Sequence, residues 1–173
     1  IASRKVRPST LAGYRTCVNR ISGHLGHFRL DRLQPEHLEA FYTRLEADGL
    51  SSTTALLHHR VISRALKVAM QRGRVARNVA TLVDAPTARR DEIQPLTAAD
   101  PRKILGLAKD LPNGTRWSVA LALGLRQGEA LGLLWDAVDL DAGTLTVRRA
   151  LQRQAGKGLV LVEPKSRAGR RTI

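Results

Sequence analysis

One arginine of this chain stands where an anion could be bound. Residues 122–135 read ALGLRQGEALGLLW, so an apolar stretch delivers Arg126, a Gln-Gly-Glu turn follows at once, and a second apolar helix begins there. A guanidinium held beside the amides that open a helix favours an anion, and phosphate above all. The pattern predicts a phosphate site at Arg126, although a structural arginine in an inter-helix turn would have the same local sequence.

A second cation that could do chemistry lies near the end of the sequence. The stretch PKSRAGRRTI, residues 164–173, places Lys165 in a tight basic turn. We interpret Arg126 and Lys165 as two cations of one site that cuts phosphodiesters. A solvated turn charge is the usual role of a lysine, and Lys157 in the preceding turn is a rival for Lys165.

The elements around these cations predict the start of a second domain, residues 96–173. Thr97 with Asp100 resembles a capping box at its first helix. Leu131 and Trp135 are predicted to be core residues. Apolar periodicity and then alternation predict helices at about 98–109, at 115–124 and from the Arg126 turn to about Leu134, with strands at Thr144–Val147, Leu159–Val162 and Arg170–Ile173.

The first part of the chain, residues 1–83, has the periodicity of a compact bundle of four helices. The predicted helices run from Ser9 to about His24, from Pro35 to about Ala47, from Ser51 or Ser52 to Gly73, and briefly after Asn78. Residues 84–95, DAPTARRDEIQP, are polar with two prolines and read as a linker. The fold class predicted for the whole chain is therefore mainly α with a small antiparallel sheet, an α+β arrangement.

The charge of the chain indicates a polyanionic partner. Its 173 residues carry a net charge of +14, of which residues 1–90 contribute +10 and residues 91–173 contribute +4. Such a balance favours nucleic acid over a membrane surface, although a basic surface can serve solubility alone. Aromatic residues make up only 3% of the chain, which disfavours base stacking on single strands and favours duplex DNA.

Several other classes of protein are disfavoured. Cys17 is the one cysteine and excludes an internal disulfide, which fits a reducing compartment. The longest apolar run, Trp117–Leu125, is too short to span a bilayer, and the first residues lack a signal peptide, so we expect a cytoplasmic protein and no membrane partner. His58 and His59 are adjacent and point apart on a helix, so no metal site is predicted. No phosphate-cradling glycine loop is present, and no cofactor is expected.

The layout resembles the tyrosine recombinases, the phage-integrase family, through almost the whole chain. STLAGYRTCVNRISGHLG and LDRLQPEHLEAFYTRLEADGLSSTTALLHHRVISRALKVAMQRGRVARNVA are similar to the helical, SAM-like four-helix core-binding domain of that family. LTAAD is similar to the entry of its catalytic domain, GLRQGEALGLLWDAVDLDAGTLTV to the block that holds the first catalytic arginine, and VEPKSRAGRRTI to the β-hairpin that holds the catalytic lysine.

This resemblance implies a role for three residues. Arg126 would bind the scissile phosphate and stabilise the charge of a phosphorane-like transition state. Lys165 would protonate the 5′ oxygen as it leaves. Glu129 would be a support that orients the arginine, and an ion pair or helix cap is equally consistent with its spacing. The family breaks and rejoins DNA without a cofactor.

The remaining catalytic parts of the family are missing from this sequence. They are a His-x-x-Arg box, a further His or Trp, and the nucleophilic tyrosine. All five histidines lie before residue 60, and the two tyrosines, Tyr14 and Tyr42, lie on helical stripes predicted to be core. The chain alone is therefore predicted not to cleave DNA, and its Ile start suggests an excised or processed fragment.

Three functional hypotheses follow. The first is the DNA-binding portion of a site-specific tyrosine recombinase, bacterial or phage-encoded, whose full-length form would act as a homotetramer on two DNA sites. The second is a stand-alone, non-catalytic DNA-binding protein from a truncated integrase gene, and the third is a generic helical regulator. Under the first hypothesis, the predicted contacts to DNA phosphates are Arg4, Lys5, Arg7, Arg60, Arg64, Lys67 and Arg72.

Overall fold

Two units make up the chain, which divides between residues 92 and 93. The computed structural model describes residues 6–89, 92, 94–97 and 99–173. The division falls inside the polar stretch 84–95 that was predicted to be a linker. Two of the predicted DNA contacts, Arg4 and Lys5, lie outside the described residues. As predicted, the architecture is mainly α with small antiparallel sheets.

Unit 1 extends over residues 1–92, and its described residues, 6–89 and 92, form a bundle of three α-helices. Proline opens the first two helices, as its fixed φ and missing N–H suit that position, and Ser51 caps the third by accepting a hydrogen bond from the backbone of Thr54 at 3.3 Å. Gly49 and Gly73, with φ of 77° and 67°, follow the ends of the second and third helices. The helices are α1 Pro8–Leu25, α2 Pro35–Ala47 and α3 Ser52–Gln71.

The predicted fourth helix is wrong: the chain forms a single 3₁₀ turn at Val79–Thr81. The side-chain oxygen of Asn78 accepts from the backbone of Ala80 at 3.1 Å, and its amide donates to the carbonyl of Ser63 in α3 at 3.1 Å. This anchored turn already buries Val79 and Ala80, so no longer helix is needed to cover the end of the bundle.

The core of unit 1 is continuous and spans all three helices. Leu38, Leu45 and Ala55 are fully buried, and Phe41 and Tyr42 are nearly so. The core prediction holds for Tyr42 but is wrong for Tyr14, which is 38% exposed on α1.

Unit 2, residues 93–173, combines short helices with two small antiparallel sheets. Its helices are α4 Ala99–Ala108, α5 Thr115–Leu123 and α6 Gln127–Leu131, followed by a 3₁₀ turn at Trp135–Ala137. Its strands are β1 Val138–Asp139, β2 Thr144–Val147, β3 Ala150–Gln154, β4 Gly158–Val162 and β5 Arg171–Thr172. The order β1-β2-β5 forms one sheet, and β3 with β4 forms a separate hairpin.

Four predictions for unit 2 need correction. The helix after Arg126 ends at Leu131 rather than Leu134, because Gly132 lies directly against β3, where the chain must turn. Trp135, predicted to be core, is 82% exposed, because it begins the 3₁₀ turn that buries Ala137 instead, and Leu131 is 39% exposed. Strand β3 was not predicted, since ALQRQ lacks apolar alternation.

The buried core of unit 2 is small. Leu125, Leu145 and Val147 form it, with partly buried neighbours from α5 and α6. Across the described part of the chain, no helix has the length and apolar character needed to cross a bilayer.

Candidate phosphate-binding site

Arg126 is presented by a sharp reversal between α5 and α6. Gly124 ends α5 in the left-handed region, with φ of 61°, which a side chain would disfavour. Leu125 is buried and its N–H donates to the carbonyl of Ala120 at 3.0 Å, so the chain is fixed immediately before the arginine. Arg126 then occupies the extended N-cap position of α6. Because α6 has only five residues, the guanidinium rather than a helix dipole supplies the attraction for an anion.

Glu129 is the centre of the site. Its side chain is only 5% exposed, yet it accepts hydrogen bonds from three donors. Oε1 accepts from Nη1 of Arg126 at 2.9 Å, and Oε2 accepts from the backbone N–H of Arg126 at 3.1 Å. Oε2 also accepts from Nη2 of Arg171 at 3.0 Å. Glu129 therefore contacts both the backbone and the guanidinium of Arg126, and its supporting role stays a prediction.

The charge state of Glu129 follows from these donors. Burial alone would raise the pKa of the carboxyl group. The hydrogen bonds from Arg171 and from the backbone and guanidinium of Arg126 outweigh burial and lower the pKa of Glu129 to about 2. At neutral pH the group is a carboxylate with two guanidinium partners, so the cluster has a net charge of +1.

Arg126 is anchored at one edge and open at the other. Its side chain is 77% exposed although Nη1 is bound to a buried carboxylate. Within the described ranges, Glu129 is the one acceptor that its guanidinium contacts. A phosphate oxygen approaching from solvent could therefore bind the remaining nitrogens of Arg126 without breaking the contact to Glu129.

Two glycines bring α6 onto the hairpin backbone. A Cβ at Gly128 would lie 2.9 Å from the carbonyl oxygen of Leu151, and one at Gly132 would lie 2.6 Å from the Leu151 nitrogen. The partner of Gly128 in this close approach is therefore β3. In the pattern R-x-G-E-x-x-G, the glutamate anchors the arginine. The two glycines form a helix face without side chains, and this face packs against β3.

Lys165 lies in the segment 163–170, which connects β4 to β5. The segment turns back on itself: the N–H of Gly169 donates to the carbonyl of Ser166 at 3.0 Å, and a Cβ at Gly169 would lie 2.9 Å from Cβ of Pro164. Lys165 is exposed in this turn. Its rival Lys157 is exposed at the tip of the β3–β4 hairpin.

Arg171 is the residue of this site that sequence reasoning missed. It lies on β5, opposite Val147 of β2, and its side chain is 30% exposed. The predicted strand Arg170–Ile173 put Arg171 on one face with Ile173, which was a usable signal. Nothing in the sequence, however, says that this face meets a glutamate 42 residues earlier.

The predicted DNA contacts of unit 1 divide into a stripe and two outliers. Arg60, Arg64 and Lys67 are exposed, and their spacing on α3 places them within one narrow face of the helix. We call these three residues the α3 stripe. Arg72 is exposed but caps the end of α3 away from that face, and Arg7 is exposed at the start of α1.

The adjacent histidines of α3 do point apart. Nδ1 of His58 lies 2.8 Å from the carbonyl oxygen of Thr54 inside the core, while Nδ1 of His59 lies 2.9 Å from the hydroxyl of Tyr42. In the residues the structure describes, no group of three His, Cys, Asp or Glu side chains could hold a metal ion.

Comparison with curated proteins finds an integrase and several tyrosine recombinases. The chain is 41% identical over 161 residues to an integrase of Saccharopolyspora erythraea, covering 91% of this chain and 37% of that protein. It is 33% identical over 129 residues to the tyrosine recombinase XerC of Xylella fastidiosa strain M23, covering 72% of this chain and 43% of the recombinase. The chain thus spans less than half the length of these relatives. No protein-family model matches it.

Solved structures share the fold. The Tn1549 transposon integrase, in complex with a circular intermediate DNA, superposes with a TM-score of 0.81 at 23% identity, over 97% of this chain and 55% of that one. A lambda integrase dimer bound to a core site superposes with a TM-score of 0.74 at 22% identity, over 94% of this chain and 57% of that one.

Proposed function

The chain belongs to the tyrosine recombinase (integrase) family, and on that premise we propose that it is the DNA-binding portion of a site-specific recombinase, acting on duplex DNA in the cytoplasm of a bacterium. Unit 1 contributes phosphate contacts through the α3 stripe, Arg7 and Arg72, with Arg4 and Lys5 added before α1. Unit 2 contributes Arg126 as the ligand of the scissile phosphate.

One observation carries this proposal. Arg126 is held by a buried carboxylate through both its backbone and Nη1, while 77% of its side chain stays exposed. A structural arginine would be expected to donate most of its hydrogen bonds to acceptors inside the protein. A guanidinium fixed at one edge and open at the other suits an anion that must be bound in a defined place.

The family resemblance implies the chemistry of the full-length enzyme, in which two cations of this chain would take part. A tyrosine from outside this chain loses its phenolic proton to a base that is also outside the chain and attacks the phosphorus; the bond to the 5′ oxygen breaks, and a 3′-phosphotyrosyl linkage forms. Arg126 stabilises the charge that builds on the non-bridging oxygens, since a fixed donor binds the transition state more strongly than the ground state. Lys165 gives its proton to the leaving 5′ oxygen, and its exposed turn lets it reach the DNA.

The nucleophile does not come from the tyrosines of this sequence. Tyr42 is buried in unit 1, and burial raises its pKa to about 12, which disfavours the phenolate. Tyr14 lies on α1 of the same unit. We therefore expect the chain by itself to bind DNA without cleaving it. The full-length enzyme would act as a homotetramer on two sites, and a lambda integrase tetramer bound to a Holliday junction supports this assembly.

Duplex binding measured against salt tests the binding part of the proposal. Neutralising several phosphates releases counterions, so the logarithm of the affinity should fall steeply and linearly with the logarithm of the salt concentration, by about 0.9 for each phosphate. A flat dependence between low and physiological salt would contradict it.

Covalent trapping separates the recombinase from the stand-alone DNA-binding protein. A protein in which this chain is joined to the rest of a family catalytic domain should capture DNA as a covalent adduct, and Arg126→Ala should abolish the adduct while leaving the fold intact. A stand-alone binder never gives the adduct. The similarity to an integrase along 91% of the chain and to a tyrosine recombinase along 72% of it supports the first outcome.

A further inference from the structure

We propose that Arg171 is a positioning residue: by occupying one oxygen of Glu129, it keeps the guanidinium of Arg126 available to phosphate. This inference rests on the proposed function, in which Arg126 binds a DNA phosphate. Arg171 itself need not touch DNA.

Arg171 and Arg126 compete as hydrogen-bond donors to the two oxygens of Glu129. Oε2 accepts from Nη2 of Arg171 and from the backbone N–H of Arg126, which leaves Oε1 for Nη1 of Arg126. A carboxylate with both oxygens open to a guanidinium takes it in a bidentate pair, with two parallel N–H···O bonds. Without Arg171, the guanidinium of Arg126 can rotate and donate to both oxygens of Glu129. The N–H groups that face solvent in the wild type are then bound inside the protein.

The charge balance works in the same direction. Two guanidiniums and one carboxylate give the cluster a net charge of +1. Removing Arg171 leaves Arg126 and Glu129 as a neutral pair, which attracts a phosphate far less. The carboxylate stays ionised in either case at neutral pH, because Arg126 still supplies two hydrogen bonds.

Arg171 is fixed well enough to perform this role. Its strand pairs with β2, where Arg171 lies opposite the buried Val147. The next two residues extend the pairing, and Ile173 exchanges backbone hydrogen bonds of 2.8 and 2.9 Å with Leu145. The contact also anchors the end of the segment 163–170, so the turn that carries Lys165 is tied to the carboxylate that holds Arg126.

A double-mutant cycle on the full chain tests the inference. Affinity for a fluorescein-labelled duplex of about 30 base pairs is measured by anisotropy at fixed salt. Arg171→Met should weaken binding about tenfold, as expected for loss of one charged hydrogen bond to phosphate. Glu129→Gln should then restore most of that loss, because an uncharged amide no longer sequesters Arg126.

The wild-type background and a matched charge control make the cycle decisive. Glu129→Gln changes the net charge equally in every background, so charge alone cancels. Arg170→Met removes the same charge one residue away. The ratio of the affinities with and without Glu129→Gln should be several-fold smaller in Arg170→Met and in wild type than in Arg171→Met. An equal factor in all three backgrounds would overturn the inference, as would an Arg171→Met protein that binds no more weakly than Arg170→Met.

Two further variants distinguish a failure of the proposed function from a failure of the role of Arg171. If Arg126→Ala leaves duplex affinity unchanged, the proposed function fails at this site. If Arg126→Ala weakens binding while the cycle shows no coupling, only the role of Arg171 fails. Arg171→Lys keeps a charged donor for Oε2 and should bind within about twofold of wild type. Arg171→Leu replaces Arg171→Met in the cycle should the latter not fold.

Discussion

Arg126 donates two hydrogen bonds to the buried carboxylate of Glu129. Its guanidinium donates to Oε1 at 2.9 Å, and its backbone N–H donates to Oε2 at 3.1 Å. The backbone contact fixes where α6 begins, and the side-chain contact fixes where the arginine points. Both depend on the charge of Glu129, so the stability of unit 2 and the geometry of the candidate site are linked through one titratable group.

Unit 2 should lose stability in acid because of Glu129. The pKa of its carboxyl group is about 2 in the folded protein and 4.5 ordinarily, so the unfolded chain takes up the proton first. The contribution is complete above pH 4.5 and is lost as the pH falls towards 2. We expect a loss of about 2–3 kcal/mol in the free energy of unfolding.

Tryptophan fluorescence during urea unfolding measures this effect in unit 2 alone, because Trp117 and Trp135 are the two tryptophans of the chain. Glu129→Gln should be less stable than wild type at neutral pH and should show a flatter dependence between neutral and acidic pH. A variant with the same acid profile as wild type would contradict the assignment.

Gly132→Ala should displace α6 from the hairpin. Its Cβ would lie 2.6 Å from the backbone nitrogen of Leu151 and 2.9 Å from Cα of Ala150, and backbone cannot give way as a flexible side chain can. Overpacking of this kind costs about 1–3 kcal/mol. Gly106→Ala in α4 is the matched control, since nothing lies within 4 Å of its Cβ, and it should stabilise the protein slightly. Equal thermal unfolding of the two variants would argue against the close packing.

The α3 stripe predicts a change in salt dependence. Arg64→Gln should weaken duplex binding and lower the slope of log affinity against log salt by about 1, because one phosphate contact is lost. Arg44→Gln removes the same formal charge from α2, where Arg44 is already paired with Asp48 at 3.0 Å, and should leave the slope nearly unchanged. If both variants change the slope equally, the stripe is not the DNA-binding face.

Unit 1 should also weaken in mild acid, through His59. Burial and, to a lesser extent, Arg60 lower the pKa of His59 below 6.5 in the folded state, so the unfolded chain binds the proton more tightly. The contribution of His59 to stability is present above pH 6.5 and is lost as the pH falls through its folded pKa. Urea unfolding followed by circular dichroism should show a smaller drop for His59→Gln than for wild type, and an unchanged drop would count against this role.

The helical elements could be predicted because each is marked locally. The apolar stripes of α2 and α3 have helical period, proline opens α2, Ser51 caps α3, and a glycine follows each helix. The turn at Arg126 could be predicted equally well, since Gly124 provides the left-handed residue that ends α5. These signals lie within a few residues of the feature they determine.

The features that were missed depend on residues far apart in the chain. Strand β3 is defined by its pairing with β4 rather than by its own sequence, and the exposure of Trp135 depends on where α6 stops. The partnership of Arg171 with Glu129 requires the register of β5 on β2, which no local pattern contains. The brevity of α6 follows from glycine packing against a strand that was not predicted.

The most direct test is whether Arg126 contacts DNA phosphate. Duplex affinity is compared for wild type, Arg126→Ala and Arg116→Ala, the last removing an equal charge from a guanidinium that lies 5.0 Å from the centre of the Trp117 ring. We predict that Arg126→Ala weakens binding about tenfold while the protein still unfolds cooperatively, at a somewhat lower temperature because Glu129 loses one donor, and that Arg116→Ala weakens binding far less. Equal affinities for the two variants would show that Arg126 is a structural residue and would contradict the account.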